Sequence, residues 1–192
     1  MVEERRRRGG GGHEGFSLIE VVVATAIVAT ALVSVIRVQL LAISVNQLAQ
    51  RVTVATALAT QKIEQLTSLA WFVDAAGNPV LDTASDLTAS PESPVGGSGL
   101  LPSPATALSA DAAGFVDYLD ATGAWLGAGT TPPRDTAFVR RWSIRPLASC
   151  PDRVLLLQVL VTRQVANPAP PSSLVLRPGD VLLTTLRSRR AG

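Results

Sequence analysis

"GFSLIEVVVATAIVATALVSVIR" (Gly15–Arg37) decides how this chain is organised. From Val21 to Ile36 it carries no charge, and with Phe16–Ile19 the apolar run is about 20 residues long, enough for a helix to cross a hydrocarbon core. Arg37 closes the run and can reach toward the far interface with its long stem. Glu20 is the one charge inside it. A carboxylate within a bilayer costs at least about 2.5 kcal/mol, so such residues usually have a partner and mark function. A plain single-pass anchor leaves Glu20 unexplained.

The flanks set the topology and the domain plan. Residues 1–15, "MVEERRRRGGGGHEG", are charged and then glycine-rich. A secretory signal places its cleavage site beyond the apolar region. Here a plausible cut would precede it, so cleavage would leave the apolar segment on the mature chain. The glycine run also separates the arginine pairs from the apolar stretch, unlike a twin-arginine signal. Arg5–Arg8 favour the cytoplasmic side for this end. We therefore expect a leader at 1–15, a transmembrane helix at 16–37, an amphipathic continuation at 38–70 and a globular domain at 71–192.

No Gly or Pro stands between Phe16 and Ala76. Beyond Arg37, Leu41, Val45, Leu48, Val52, Ala55 and Ala59 recur at helical spacing, and Ile63, Leu66 and Leu69 continue the stripe after a register shift. Gln47, Gln50, Arg51, Gln61, Lys62 and Gln65 fall on other faces, which is the pattern of an amphipathic helix. From Phe16 to Leu69 such a helix would be roughly 80 Å long. Its C-terminal part should pack on the globular domain. The heptads do not hold phase, which argues against a coiled-coil dimer.

Residues 74–134 are rich in Gly, Pro, Ser, Thr and Asp, and "SPESPVGGSGLLPSPATA" (90–107) reads as an irregular loop. Three Asp-x-x-Gly stretches begin at Asp74, Asp111 and Asp120 and suit type I turns. Around the last, Phe115–Leu119 should pair with Ala124–Leu126 as a hairpin. A calcium site from Asp111, Asp117 and Asp120 is the alternative use of these carboxylates, but their spacing matches no calcium loop and falls short of six to eight oxygens. "FVRRWSIRP" (138–146) places Phe138, Trp142 and Ile144 on one strand face and Arg141, Ser143 and Arg145 on the other. "RVLLLQVLVTRQV" (153–165) reads as a central strand. "RPGD" (177–180) is a turn leading into a strand over Val181–Leu186. The expected fold is α+β: the long helix packed against an antiparallel sheet of about four strands within 138–188 and the preceding hairpin. Trp71 and Trp142 are candidate packing residues at that junction, or else exposed contacts for a partner.

Composition excludes several functions. Hydrophobic residues make up 47% and charged residues 17%, too apolar for a disordered chain. The net charge of +2 names no partner, and neither arginine cluster is interleaved with aromatics, which argues against a nucleic-acid surface. His13 is the only histidine and lies in the leader, so the domain offers neither a histidine-based triad nor a zinc site. Cys150 is the only cysteine, so no intramolecular disulfide forms. No catalytic constellation, resident metal or cofactor is expected.

"GFSLIEVVVATAIVA" resembles the N-terminus of type IV prepilins and type II secretion pseudopilins. The resemblance implies that prepilin peptidase cuts between Gly15 and Phe16 and methylates the new amine of Phe16. It implies that Glu20, fifth in the mature chain, pairs with the N-terminal amine of a neighbouring subunit during filament assembly. Many major pilins carry a helix-breaking Gly or Pro in the first helix; this chain has none. "ATALATQKIEQLTSLAW", "FVRRWSIRP" and "VLLTTLRS" are similar in order to PilV-type minor pilins and GspI-type minor pseudopilins. The implied partners are other pilin or pseudopilin subunits, the peptidase and the inner-membrane assembly machinery. The implied location is the inner membrane with a periplasmic domain, then a pilus or pseudopilus. A reading of another class is a membrane-anchored module whose 74–134 loops hold a secreted protein, DNA or a surface ligand.

Overall fold

The computed structural model describes residues 17–88, 97–164 and 176–191. Among these residues one helix and eight strands follow in order. Helix α1 spans Leu18–Ser68, and the chain divides at Val45 and Asn46 into two compact units.

In the first unit every described residue is exposed. The helix hydroxyls there are satisfied locally: Thr25 donates to the carbonyls of Val21 and Val22, Thr30 to those of Ala26 and Ile27, and Ser34 to that of Thr30. None of these three hydroxyls needs water, which suits a helix placed in hydrocarbon. It is long and apolar enough to cross a membrane.

The second unit packs the remainder of α1 on a sheet. Strands β3 (Val116–Leu119), β4 (Trp125–Ala128), β5 (Phe138–Pro146), β6 (Val154–Arg163) and β7 (Val181–Ser188) form an antiparallel sheet in the order β4-β3-β5-β6-β7. A smaller sheet joins β1 (Trp71–Val73) antiparallel to β2 (Pro79–Leu81) and parallel to β8 (Arg190–Ala191). The architecture is the expected α+β arrangement. The main sheet has one strand more than expected, and β2, β3 and β4 all fall inside the segment read mainly as loop.

Alternation fixes the sheet's two faces. Phe138, Trp142 and Ile144 of β5 join Leu155, Leu157, Val159 and Val161 of β6 in one core with Ala55, Leu58, Ala59 and Leu66 of α1. Ala55 and Ala59 stand one turn apart, and their small side chains let the helix backbone approach the sheet. Full burial of a residue such as Leu66 or Leu157 contributes about 1.5–3 kcal/mol. Trp71 and Trp142 are both buried in this core, in line with the packing role. The opposite face holds a small cluster of Val116, Tyr118 and Val139.

The turns follow from the aspartates. Asp74 accepts from the backbone N–H of Ala76 and Asn78, and Asp120 from those of Thr122 and Ala124. These bonds hold both carboxyls below the usual carboxylate range, led by the Asn78 backbone for Asp74 and the Thr122 hydroxyl for Asp120. Each loop closes with glycine at positive φ, Gly77 at 84° and Gly123 at 88°. The β3–β4 hairpin forms where expected but pairs Asp117–Leu119 with Trp125–Ala128 rather than Ala124–Leu126, with a register shift between Tyr118 and Leu119.

Helix α1 has no basic residue in its last turn. Arg187 of β7 supplies the missing positive charge, donating to the carbonyls of Leu66 (2.9 Å) and Leu69. These carbonyls have no helical donor, and a guanidinium there also complements the helix dipole.

Candidate functional site

Gly15 and Phe16, the expected cleavage and methylation positions, lie outside the described residues. Glu20 lies in the first turn of α1 and is exposed. The backbone N–H groups of Glu20 and Val21 donate to the carbonyl of Ser17, at 2.9 and 3.3 Å, so the helix begins just ahead of the carboxylate. Glu20, Ala24, Val28 and Leu32 follow one another at spacings of four, beside Val21, Thr25 and Ala29, and together they line a shallow depression on one face. A carboxylate at the head of a face with small side chains is suited to close approach by another helix that carries a positive charge.

The three carboxylates weighed as a calcium site are not brought together. Asp111 pairs with Arg141, accepting from Nε at 2.8 Å and lying 2.6 Å from Nη2. Asp120 is committed to its turn. Asp117 lies on β3 and is fully buried. Among the described residues no group of three or more His, Cys, Asp or Glu side chains is placed to hold a metal ion.

Asp117 instead belongs to an ion cluster that sequence reasoning missed. Its Oδ2 is 2.7 Å from Lys62 Nζ and accepts from Arg140 Nε at 3.1 Å and Nη2 at 2.7 Å. Arg140 Nη1 donates to the Leu58 carbonyl at 3.1 Å and Gln61 Oε1 at 3.0 Å. Lys62 Nζ also donates to the Leu87 carbonyl and lies 4.3 Å from the centre of the Trp142 ring. Two cations thus share one carboxylate oxygen between helix and sheet, and Asp117 Oδ1 has no hydrogen-bond partner among the described residues. Burial pushes the Lys62 amine down from 10.5 to about 8, although Asp117 opposes the shift.

This corrects one placement. Lys62 is not on an outer face of the helix: it lies three and four residues from Ala59, Leu58 and Leu66, which are all core. Arg140 was legible in principle, because it alternates with Phe138 and Trp142 on β5. Each member is bonded to another across helix and sheet, so the cluster fixes the seat of α1 on the sheet.

On the opposite face, Tyr118 Oη donates to the Gly129 carbonyl at 2.8 Å. Burial and then the Asp111 charge push its hydroxyl well above the ordinary tyrosine value. Cys150 is exposed and has a free thiol.

Comparison with protein-family models, with curated proteins and with solved structures returns no match to this chain.

Proposed function

We propose that this chain is a minor pilin or pseudopilin, a structural subunit of a type IV pilus or type II secretion filament. One observation carries the reading: a lone carboxylate, Glu20, in the first turn of a long apolar helix, directly behind Gly15-Phe16. A membrane anchor gains nothing from that charge, whereas an assembly subunit does. When a second subunit brings the amine of its own Phe16 to Glu20, two charges that are costly apart neutralise each other. Losing either partner strands the other. The cost of the lone ion therefore becomes a preference for one register between neighbouring helices, while apolar packing supplies most of the assembly energy. The α+β fold supports the same reading, with the C-terminal part of the helix seated on a sheet. In this role the chain is a substrate of prepilin peptidase rather than an enzyme. It waits in the inner membrane with its sheet domain in the periplasm until the assembly machinery recruits it.

The test is mass spectrometry of the N-terminus after expression with an active prepilin peptidase. The expected terminus is N-methylated Phe16; a chain that keeps residues 1–15 refutes the reading. A second arm replaces Glu20 by Gln. Membrane insertion should persist and filament incorporation should be lost. Incorporation at the wild-type level would exclude the ion-pair role while leaving processing to stand or fall separately.

A further inference from the structure

A groove in the second unit has a character that the filament reading does not use. It lies between the helix at Gln47–Val54 and the sheet end where β5 and β7 start and β6 finishes, with a volume of about 520 Å³. That size is within the roughly 300–1,000 Å³ of ligand sites. Arg51, Arg163 and Arg177 line it from three separate elements: α1, β6 and the turn before β7. All three are exposed. Among the described residues none of the three guanidiniums makes a hydrogen bond or ion pair within the chain, whereas Arg140, Arg141, Arg145 and Arg187 each do.

The one carboxylate in the lining is already engaged. Asp180 Oδ2 accepts the backbone N–H of Arg177 at 2.8 Å and closes the turn. Asp180 is the one acidic residue between β6 and β7; residues 165–175 contain none. Half-buried Val54 and buried Phe138 give the groove an apolar floor, with exposed Pro178 beside Arg177 in the lining.

We propose that this groove docks an acidic polypeptide segment of a partner protein, one that alternates carboxylates with aliphatic side chains. Guanidiniums bind carboxylates through paired N–H donors, and three of them around one groove fix the direction of a bound strand or helix. The apolar floor decides between anion classes. A phosphate backbone would leave that floor uncovered. Aliphatic side chains between carboxylates cover the floor and place the charges on its rim. The inference does not depend on the filament reading, because the groove can be tested on the membrane-extracted full chain.

The experiment measures fluorescence anisotropy of a labelled hexapeptide alternating glutamate and leucine, with the full chain in detergent micelles. A peptide alternating glutamate and serine, a single-stranded DNA oligonucleotide of equal charge and inorganic phosphate serve as comparisons. The glutamate–leucine peptide should bind more tightly than the glutamate–serine peptide. Changing Arg51, Arg163 and Arg177 together to Gln should weaken it by at least about tenfold. The same change at Arg134, Arg145 and Arg153, which do not line the groove, should alter affinity less than about twofold. Equal losses in the two triple variants, or no binding, overturn the proposal. So does equal affinity for the two peptides. Tighter binding of the DNA through the same three arginines would replace the polypeptide with a nucleic acid, and displacement by phosphate at the peptide's own concentration would reduce the site to a simple anion site.

Discussion

Replacing Lys62 by methionine should change how stability depends on pH more than it changes stability at neutral pH. Methionine keeps the length of the side chain beside Trp142 and leaves Asp117 paired with Arg140, so the cost at pH 7 should stay near 1–2 kcal/mol, from the carbonyl of Leu87 and the lost charge pair. The groups facing the Lys62 amine are Asp117, Arg140, Asp86, the Leu87 carbonyl and the Trp142 ring. Together with burial they bring the amine from 10.5 to about 8. Between these values the unfolded chain holds the proton and the folded chain releases it, so stability rises with pH. The burden of a buried ammonium is fully present below pH 8 and is relieved as pH climbs toward 10.5. Applied to those two values, linkage makes the gain over the methionine variant more than about 2 kcal/mol between pH 7 and pH 10. For a unit of this size that corresponds to a relative Tm increase of about 4–8 °C. Tyr118 acts in the opposite sense above pH 10, since its folded form keeps the proton, but it does so equally in both proteins. Thermal unfolding of the full chain in detergent, followed by tryptophan fluorescence at pH 7, 8, 9 and 10, gives the two curves. A wild-type minus variant difference that stays flat across that range would refute the lowering of the Lys62 pKa by burial.

The partner change is harsher. Asp117→Ala leaves Lys62 and Arg140 buried without a counter-ion and should cost about 3–5 kcal/mol, measured by denaturant unfolding; a loss below 1 kcal/mol would mean that water enters the cluster. Arg187→Ala removes the donors to the Leu66 and Leu69 carbonyls and should destabilise by about 1–3 kcal/mol. Hydrogen exchange should then accelerate first in the last turn of α1, and uniform acceleration would contradict the capping role.

Legibility of the fold varied with the kind of signal. The helix was plain because fifty residues lack any breaker. The strands of the C-terminal third were plain because β-branched and leucine runs end at strong turns. The phase of the buried stripe was harder. Leu41, Val45, Leu48 and Val52 are all exposed, while Leu58, absent from the expected stripe, is core. Local hydrophobicity does not reveal where a helix leaves its domain. The three Asp-x-x-Gly stretches look alike, yet only Asp74 and Asp120 cap their own turns, because the Asp111 carboxylate is taken by Arg141 thirty residues away. Lys62, Asp117 and Arg140 were missed for a related reason. A charged residue reads as a surface residue until its partner is known, and these partners come from three separate elements. The Glu20 motif is local in the sequence. The partner proposed for it belongs to another molecule, so the fold of one chain neither displays nor tests that pairing.

Lys62 is the only lysine in the chain; every other basic side chain except His13 is arginine. A lysine-specific protease therefore has one bond to cut, between Lys62 and Ile63, in helix and with the lysine side chain locked under the sheet. While α1 stays seated, that bond is protected. When the interface opens, a single cut separates the long apolar part of α1 from the whole sheet. Appearance of the two fragments then reports that opening, with no label and no engineered site.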